Sequence, residues 1–434
     1  MAANREKPQI CPVPAKRILF VQHAVGPGGS AVSLRYLVHG LVGRGHDVHV
    51  AVNAAVPVMA DYYARTGATV HRIDAAPAFL HTTAAHVTPL RPRTVIATAR
   101  MLRCCPKAGK RLRALVKCVA PDIVHLNSVT LAPTAYALRA CGVPLVWHVR
   151  EAPPFGRHGL RTAMLRRAMR RLAAETIFIS KHDRAMWAED RFGTVIYNCA
   201  TEPPSVPPDR LDELRRSLYL DPKNRVVLFM GGLQEIKGIG PLCDAFPDVV
   251  QAVANARLVV LGADEQPPAS QLAALARAYG RYVGVQPHHI RFLRRLRAPP
   301  LRELVRVLPS VENIGDYLSL CDLVVFPSLR PHFARPIIEA ALCGKPTVAS
   351  RVGGIEEVVR QGETGLLVRP GDSQALAAAI ISLLRDQEEC RRFGENARDV
   401  AAGVFSVERH LDAVEDIYSR VISTKRVSLS EKAM

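Results

Sequence analysis

One order of elements occurs twice along this chain, and it restricts the fold more than any single residue does. From residue 17 onward, short apolar runs alternate with stretches of helical spacing. RILFVQH (17–23) is followed by the amphipathic SAVSLRYLVHGLVGRGH (30–46) and then by DVHVAVN (47–53). DIVHLNS, VPLVWHV and ETIFIS continue the series, each separated by enough chain for a crossover helix. Repeated strand–helix–strand order of this kind predicts a parallel sheet covered on both faces. The segment NCATEPPSVPPDR (198–210) interrupts the pattern with prolines and polar residues, which suits a connection between domains. A second series then starts: RVVLFMGG, ARLVVLGAD, VRVLPS, CDLVVFPS, KPTVASRV and GLLVRP. With 434 residues, 48% of them apolar, the chain is long enough for two cores of about 200 residues each. The expectation is an α/β protein of two doubly wound domains in tandem, with ligands at the carboxyl ends of the strands and in the cleft between the sheets. FSVERHLDAVEDIYSRVI (405–422) reads as a closing helix.

Three turns carry the residues that chemistry would use. GPGGS (26–30) follows the first strand, where Gly28 and Gly29 let the backbone approach a diphosphate or sugar and Ser30 could cap the next helix. A plain tight turn fits the same letters. The pattern is not G-x-G-x-x-G and no acidic residue follows the next strand, which disfavours a nicotinamide enzyme. GGLQEIKG (231–238) follows the first strand of the second series, and Lys237 can return to the strand end as a compact charge for phosphate oxygens. A solvated loop lysine is the competing reading. In RPHFARPIIEAALCGKPTVASRVGG (330–354), Pro336 is suited to the first helical position and Gly344 to the residue past the end. Such a helix turns its N–H groups towards an anion, and Glu339 on it can accept hydrogen bonds from a sugar diol or simply complement the helix dipole.

The net charge of +19 favours phosphate-rich partners without choosing among them. Much of it lies in residues 91–117 and 157–172. In the second stretch Leu160, Met164, Leu165, Ala168 and Leu172 recur near helical spacing among five arginines, either as a basic amphipathic helix on an anionic membrane or as a solvated helix with its apolar side on the core. Nucleic acid is not expected as a partner, because no helix-turn-helix, zinc or aromatic RNA-binding pattern is present. Ten cysteines without C-x-x-C or paired histidine spacing read as reduced thiols, not a metal site. No apolar run reaches the roughly 20 residues of a membrane span, and the first residues lack a signal peptide's apolar segment. The expected location is the cytoplasm, peripheral to the inner membrane face where the basic stretches engage it.

GPGGS, WHVRE (147–151), FISKHD (178–183), YNCA (197–200), MGGLQEIKG, DLVVFPS and above all FARPIIEAALCGKPTVASRVGGIEEVVRQGETGLLVRPGD (333–372) resemble the family 4 retaining glycosyltransferases of GT-B fold. The resemblance runs over most of residues 17–422. It implies two Rossmann-like domains facing across a cleft: an acceptor-side domain (1–200), a linker (201–220), a nucleotide-sugar domain (221–404), and a helix crossing back with a polar tail (405–434). It also implies a nucleotide-sugar donor, a glycan or lipid-linked acceptor, and no cofactor or metal. By the same resemblance Glu339 holds the donor ribose, Lys237 the diphosphate, Gly28, Gly29 and Gly232 border it, and His148 faces the reacting sugar. His332, Phe333, Ala334, Arg335 and Ile337 complete the donor side. Two positions depart from the family pattern. Pro331 stands where an E-x7-E pair has its first glutamate, and Gly232 stands where an arginine follows the first glycine of the phosphate turn. A donor-binding protein without turnover is the alternative that these departures raise.

Overall fold

The computed structural model of the chain describes residues 14–24, 26, 28–73, 92–153, 159–188, 192–263, 288–331 and 333–430. The first half runs β1 (Arg17–Val21), α1 (Gly29–Gly43), β2 (Asp47–Asn53), α2 (Pro57–Ala64), β3 (Thr69–Ile73), α3 (Pro92–Val119), β4 (Ile123–Leu126), α4 (Ala132–Leu138), β5 (Leu145–Val149), α5 (Leu160–Leu172), β6 (Glu175–Phe178), α6 (Lys181–Trp187) and β7 (Thr194–Val195). Its seven strands form one sheet in the order β3-β2-β1-β4-β5-β6-β7, every pairing parallel. The second half runs α7 (Pro208–Ser217), β8 (Arg225–Phe229), α8 (Ile239–Ala252), β9 (Ala256–Val260), α9 (His288–Leu296), β10 (Val305–Val307), α10 (Ile314–Leu320), β11 (Leu323–Phe326), α11 (Arg335–Leu342), β12 (Thr347–Ser350), β13 (Gly365–Val368), α12 (Ser373–Arg385), α13 (Gln387–Val404) and α14 (Val407–Ser430). Six parallel strands form its sheet in the order β10-β9-β8-β11-β12-β13. In both sheets the order reverses beside the first strand, between β1 and β4 and between β8 and β11, and that is where a doubly wound sheet opens a crevice.

Near-continuous apolar strands bury both faces. Leu19 and Val21 pack to one side of β1 with Val124, Leu126 and Trp147, while Ile18 and Phe20 pack to the other with Leu34, Leu37 and Val146. The two strands that the sequence pattern leaves out, β3 and β7, are the outer strands of the first sheet. TVHRI is half polar and partly exposed, and Thr194–Val195 is only two residues long, so neither has the apolar run that marks a central strand. The connection is also shorter than expected. Residues 208–217 are already helix α7, and Leu214, Leu218 and Leu220 pack with Val226, Leu228 and Val324 on the second sheet.

The last helix belongs to the first core. Leu411, Val414, Ile417 and Tyr418 of α14 share a cluster with Ile18, Phe20 and Leu37, and a side chain at Gly40 of α1 would collide with Leu411. A polar clamp fixes the register. The Lys16 N–H donates to His46 Nδ1 (3.1 Å), so Nε2 carries the ring hydrogen and donates to Glu415 Oε1 (2.6 Å). Arg44 pairs with the other oxygen of Glu415 and with Asp412 (2.7 Å). These hydrogen bonds and Arg44 hold the Glu415 carboxyl below its usual pKa, although burial opposes them. A carboxylate with a lowered folded pKa adds stability that is present at neutral pH and lost as pH falls through and below 4.5. Glu415→Gln should therefore destabilise the protein by about 1–3 kcal/mol at pH 7 in urea unfolding. The difference from the wild-type protein should shrink as the pH is lowered to 4.

Candidate functional site

The donor-side elements start at β8 and β11, which are neighbours in the second sheet. After β8 the chain turns through Gly231 and Gly232 into a single 3-10 turn, Glu235–Lys237. Gly232 has φ +60, and a Cβ there would lie 2.5 Å from the Gly262 carbonyl oxygen. The turn packs against the β9 loop, and a side chain at this position would have to displace that backbone. Gly238, with φ +85, is approached still more closely by the Pro327 carbonyl. The two donor loops are bolted together, since Ser328 Oγ and the Leu329 N–H both donate to the Ile236 carbonyl, each at 2.9 Å. Lys237 is thereby held next to the chain leading into α11, with its ammonium 5.5 Å from the centre of the Phe326 ring. The residue is half-buried but its charged end is shut away from water, which lowers its pKa from 10.5 to about 8.

Helix α11 begins one residue earlier than the proline pattern predicts. Ala334 is the N-cap, Arg335 the first helical residue and Pro336 the second, while Gly344 ends the turn at φ +65 as expected. Pro336 has no N–H, and the Ile337 N–H already donates to the Ala334 carbonyl (3.1 Å), so the amide of Ile337 is occupied within the turn. Glu339 is 5% exposed. Its Oε1 accepts from Arg335 Nη1 at 2.8 Å, and its Oε2 has no partner in the protein. Burial raises its pKa, with Arg335 pulling the other way. A buried carboxylate with one oxygen satisfied and one open is suited to a ligand hydroxyl.

Phe333 and Ala334 sit differently from the expectation that they line the donor. The Phe333 ring is buried, stacked on Tyr197 (5.9 Å, 20°) and edge-on to Phe405, and Ala334 is buried in the same cluster. Their side chains hold the domains together, leaving only main chain to face a ligand. His332 lies outside the described residues.

On the opposite side, Gly28 and Gly29 open α1. Gly29 is the first helical residue and Gly28 its N-cap with no side-chain cap, so Ser30 is inside the helix and does not cap it. A Cβ at either glycine would meet nothing within 4 Å. Neither packing nor a left-handed φ requires glycine here, and the open space is what a closely approaching ligand would use. Asn127, after β4, reaches this loop by donating from Nδ2 to the Ser30 carbonyl (3.2 Å).

His148 lies inside β5 and is fully buried, not on the loop that follows the strand. It faces the side of the sheet covered by α14, 5.4 Å from the His125 ring and 6.2 Å from the His410 ring. Burial, then the Arg150 charge and the two neighbouring rings, hold its pKa well below the usual 6.5, so the ring is neutral. Its Nε2 has no protein partner.

Several residues here escaped the sequence reading. Arg150 donates to Asn127 Oδ1 (2.5 Å), to Asn198 Oδ1 (2.6 Å) and to His148 Nδ1 (3.4 Å). Glu357 of the second domain accepts from the Lys181 and His182 N–H groups (2.9 and 2.8 Å) and from the Tyr197 hydroxyl (2.9 Å) of the first. Both stand in segments that carry the family resemblance, WHVRE and GGIEE. An arginine directly after an apolar strand and a carboxylate in a glycine turn are the signals that could have singled them out. Among the described residues no group of histidine, cysteine and carboxylate side chains is disposed to hold a metal.

Residues 211–400 match the family described as Glycosyl transferases group 1, and residues 28–193 match the Glycosyl transferase 4-like domain. The chain belongs to the family 4 glycosyltransferases. HepE of Anabaena, solved with UDP and glucose, superposes on this family 4 chain with a TM-score of 0.73 at 22% identity, covering 93% of this chain and 99% of its own. WaaG, a glycosyltransferase involved in lipopolysaccharide biosynthesis, gives 0.55 at 15% identity over 91% and 99%. These likenesses establish the GT-B fold. Among curated relatives, the N-acetyl-alpha-D-glucosaminyl L-malate synthase of Bacillus anthracis is 26% identical over 49% of this chain and 50% of its own length. D-inositol 3-phosphate glycosyltransferase 2 of Catenulispora acidiphila is 32% identical over 49% of this chain and 47% of its own. The chain thus spans about half the length of the curated relatives it matches.

Lys237 generates a prediction of opposite sign for stability and binding. Its folded pKa of about 8 lies below the ordinary 10.5, so the unfolded chain binds more protons between these values and stability should rise with pH across that window. Lys237→Met removes the buried charge and should raise the melting temperature at pH 7, while calorimetry with nucleoside diphosphate should read lost affinity.

Proposed function

We propose that the chain is a retaining glycosyltransferase that moves a hexosyl group from a nucleotide sugar to a glycan or lipid-linked acceptor in cell-surface polysaccharide or glycolipid synthesis. The observation that carries this reading is the pairing of Lys237 with Glu339 on loops locked together at the switch point of the second sheet. Lys237 offers charge to the diphosphate, and the open Oε2 of Glu339 accepts from the ribose. The second domain, within residues 221–404, is the nucleotide-sugar side, and the first, within 1–200, is the acceptor side.

In this mechanism the acceptor hydroxyl attacks the anomeric carbon on the face from which the diphosphate leaves, and the leaving diphosphate takes the acceptor proton. Catalysis is charge stabilisation and positioning. Among the described residues Arg335 is the cation bonded to Glu339, through Nη1 at 2.8 Å. Gly28 and Gly29 leave space for the sugar, and His148 donates to it from Nε2 without acting as a base. His148 lies beside His410 of α14, which packs on the same domain.

For the acceptor, helix α5 supports a membrane surface. Leu165, Ala168 and Met169 are buried, but Leu160 and Met164, whose side the sequence left open between membrane and core, are 68% and 63% exposed. They lie on one stripe with exposed Arg167 and Arg171. An apolar edge flanked by arginines suits an anionic bilayer, and no helix among the described residues is long and apolar enough to cross one. The protein on this reading is cytoplasmic and peripheral.

A screen of nucleotide sugars for nucleotide release, with and without membrane lipid extract, tests the transfer. One donor should give release that rises with extract and is lost in Glu339→Ala. Binding without release from any donor would instead make the chain a nucleotide-sugar-binding protein without turnover. Sedimentation with anionic vesicles tests the surface: Arg167→Glu with Arg171→Glu should reduce binding several-fold, at about 1 kcal/mol per lost basic residue, and equal binding would remove the membrane role.

A further inference from the structure

The first domain contains an arginine whose environment no stability argument explains. Arg150 is half-buried, desolvation of its guanidinium lowers its pKa to about 10, and among the described residues it bonds to no carboxylate. The adjacent Glu151 carboxylate is engaged elsewhere, by Ser128 Oγ (2.6 Å), the Val129 N–H (3.0 Å) and the Arg150 N–H (3.2 Å). Burying a cation without an ion pair costs stability, so its retention calls for another reason.

Its three partners come from three parts of the cleft. Asn127 follows β4 and holds the glycine loop through the Ser30 carbonyl. Asn198 stands at the start of the crossover between the domains, next to Tyr197, which bonds Glu357. His148 is the buried ring of β5. Both amide orientations agree with this, since each asparagine presents its carbonyl oxygen to a group that can only donate.

An arginine donates only, so the His148 Nδ1 that faces it accepts and the ring hydrogen resides on Nε2. The other groups around the ring keep the same assignment. His125 Nδ1 pairs with the Tyr418 hydroxyl (2.6 Å), and His410 Nδ1–H donates to the Tyr197 carbonyl (2.7 Å), so neither supplies or takes a hydrogen at His148 Nδ1. We infer that Arg150 is a positioning residue: it fixes His148 as the Nε2–H tautomer and ties that ring to the glycine loop and the domain crossover through Asn127 and Asn198. The inference rests on the reading above that His148 donates to the transferred sugar.

The test uses the full chain with 15N-labelled histidine, the His148 signals being assigned by their loss in His148→Gln. In the wild-type protein the ring should show a hydrogen on Nε2 and a bare Nδ1. A wild-type ring protonated on Nδ1, or on both nitrogens, overturns the proposal whatever the variants do. Arg150→Met should shift the tautomer population and lower kcat by about 10- to 100-fold with the donor KM unchanged. Arg150→Lys keeps the charge but not the planar fork and should restore neither. A lowered rate with the Nε2–H tautomer intact in Arg150→Met would also overturn it. If Arg150→Met does not fold, the wild-type spectrum and the Arg150→Lys rate decide. Because the tautomer is read without donor, an Nε2–H ring in a protein that turns over no nucleotide sugar supports the positioning and defeats only the glycosyl-transfer reading.

Discussion

The cleft depends on one carboxylate. Glu357 leaves the loop after β12 and accepts two main-chain N–H groups at the start of α6 and the Tyr197 hydroxyl, all from the other domain. A parallel sheet brings every strand's carboxyl end to one edge, and this contact joins the edge of one sheet to that of the other. Around it Tyr197, Phe333 and Phe405 stack into an aromatic cluster with Ile179 and Ala200, so the polar contact sets direction and the rings supply burial. The α14 clamp through Glu415, on the far side of the first domain, leaves the connection at 198–207 and the chain near Phe405 as the two strands crossing between domains. Two crossing strands restrict relative motion more than one would.

The buried charges are distributed in a pattern that stability alone would not select. Lys237 loses proton affinity to burial, Arg150 is half-buried and bonds to no carboxylate among the described residues, and Glu339 keeps one oxygen unpartnered. By contrast, the charges of the α14 clamp are paired: Arg44 meets both Glu415 and Asp412, and the Nε2–H of His46 donates to Glu415. Glu339 is the carboxylate of this set with an oxygen open to a ligand.

The fold was legible in the sequence because both sheets are built from central strands, whose apolar runs are long and whose loops carry the glycines. All eleven runs read as strands appear, and the two missed, β3 and β7, are edges where water covers one side and the apolar signal fades. The candidate site was legible only as far as side chains act within their own loop. Glu339 and Lys237 stand on turns that announce themselves, whereas Glu357 acts on partners 160 to 176 positions away and Arg150 on Asn127 and Asn198, 23 and 48 positions away, relations that only the folded topology creates. Phe333 misled for the same reason: a residue beside the donor turn in sequence is turned by the helix start into the interdomain cluster.

The two departures from the family pattern now have different physical standing. At Gly232 the backbone has a left-handed φ and the Gly262 carbonyl occupies the space of a side chain, so a residue larger than glycine there has to displace the neighbouring loop. Pro331 is not confined by any such contact. It is partly exposed and precedes α11, where Arg335 already bonds the carboxylate that remains. A glutamate returned at 331 would meet a local field in which one carboxylate is paired with one arginine, and it would compete with Glu339 for that cation.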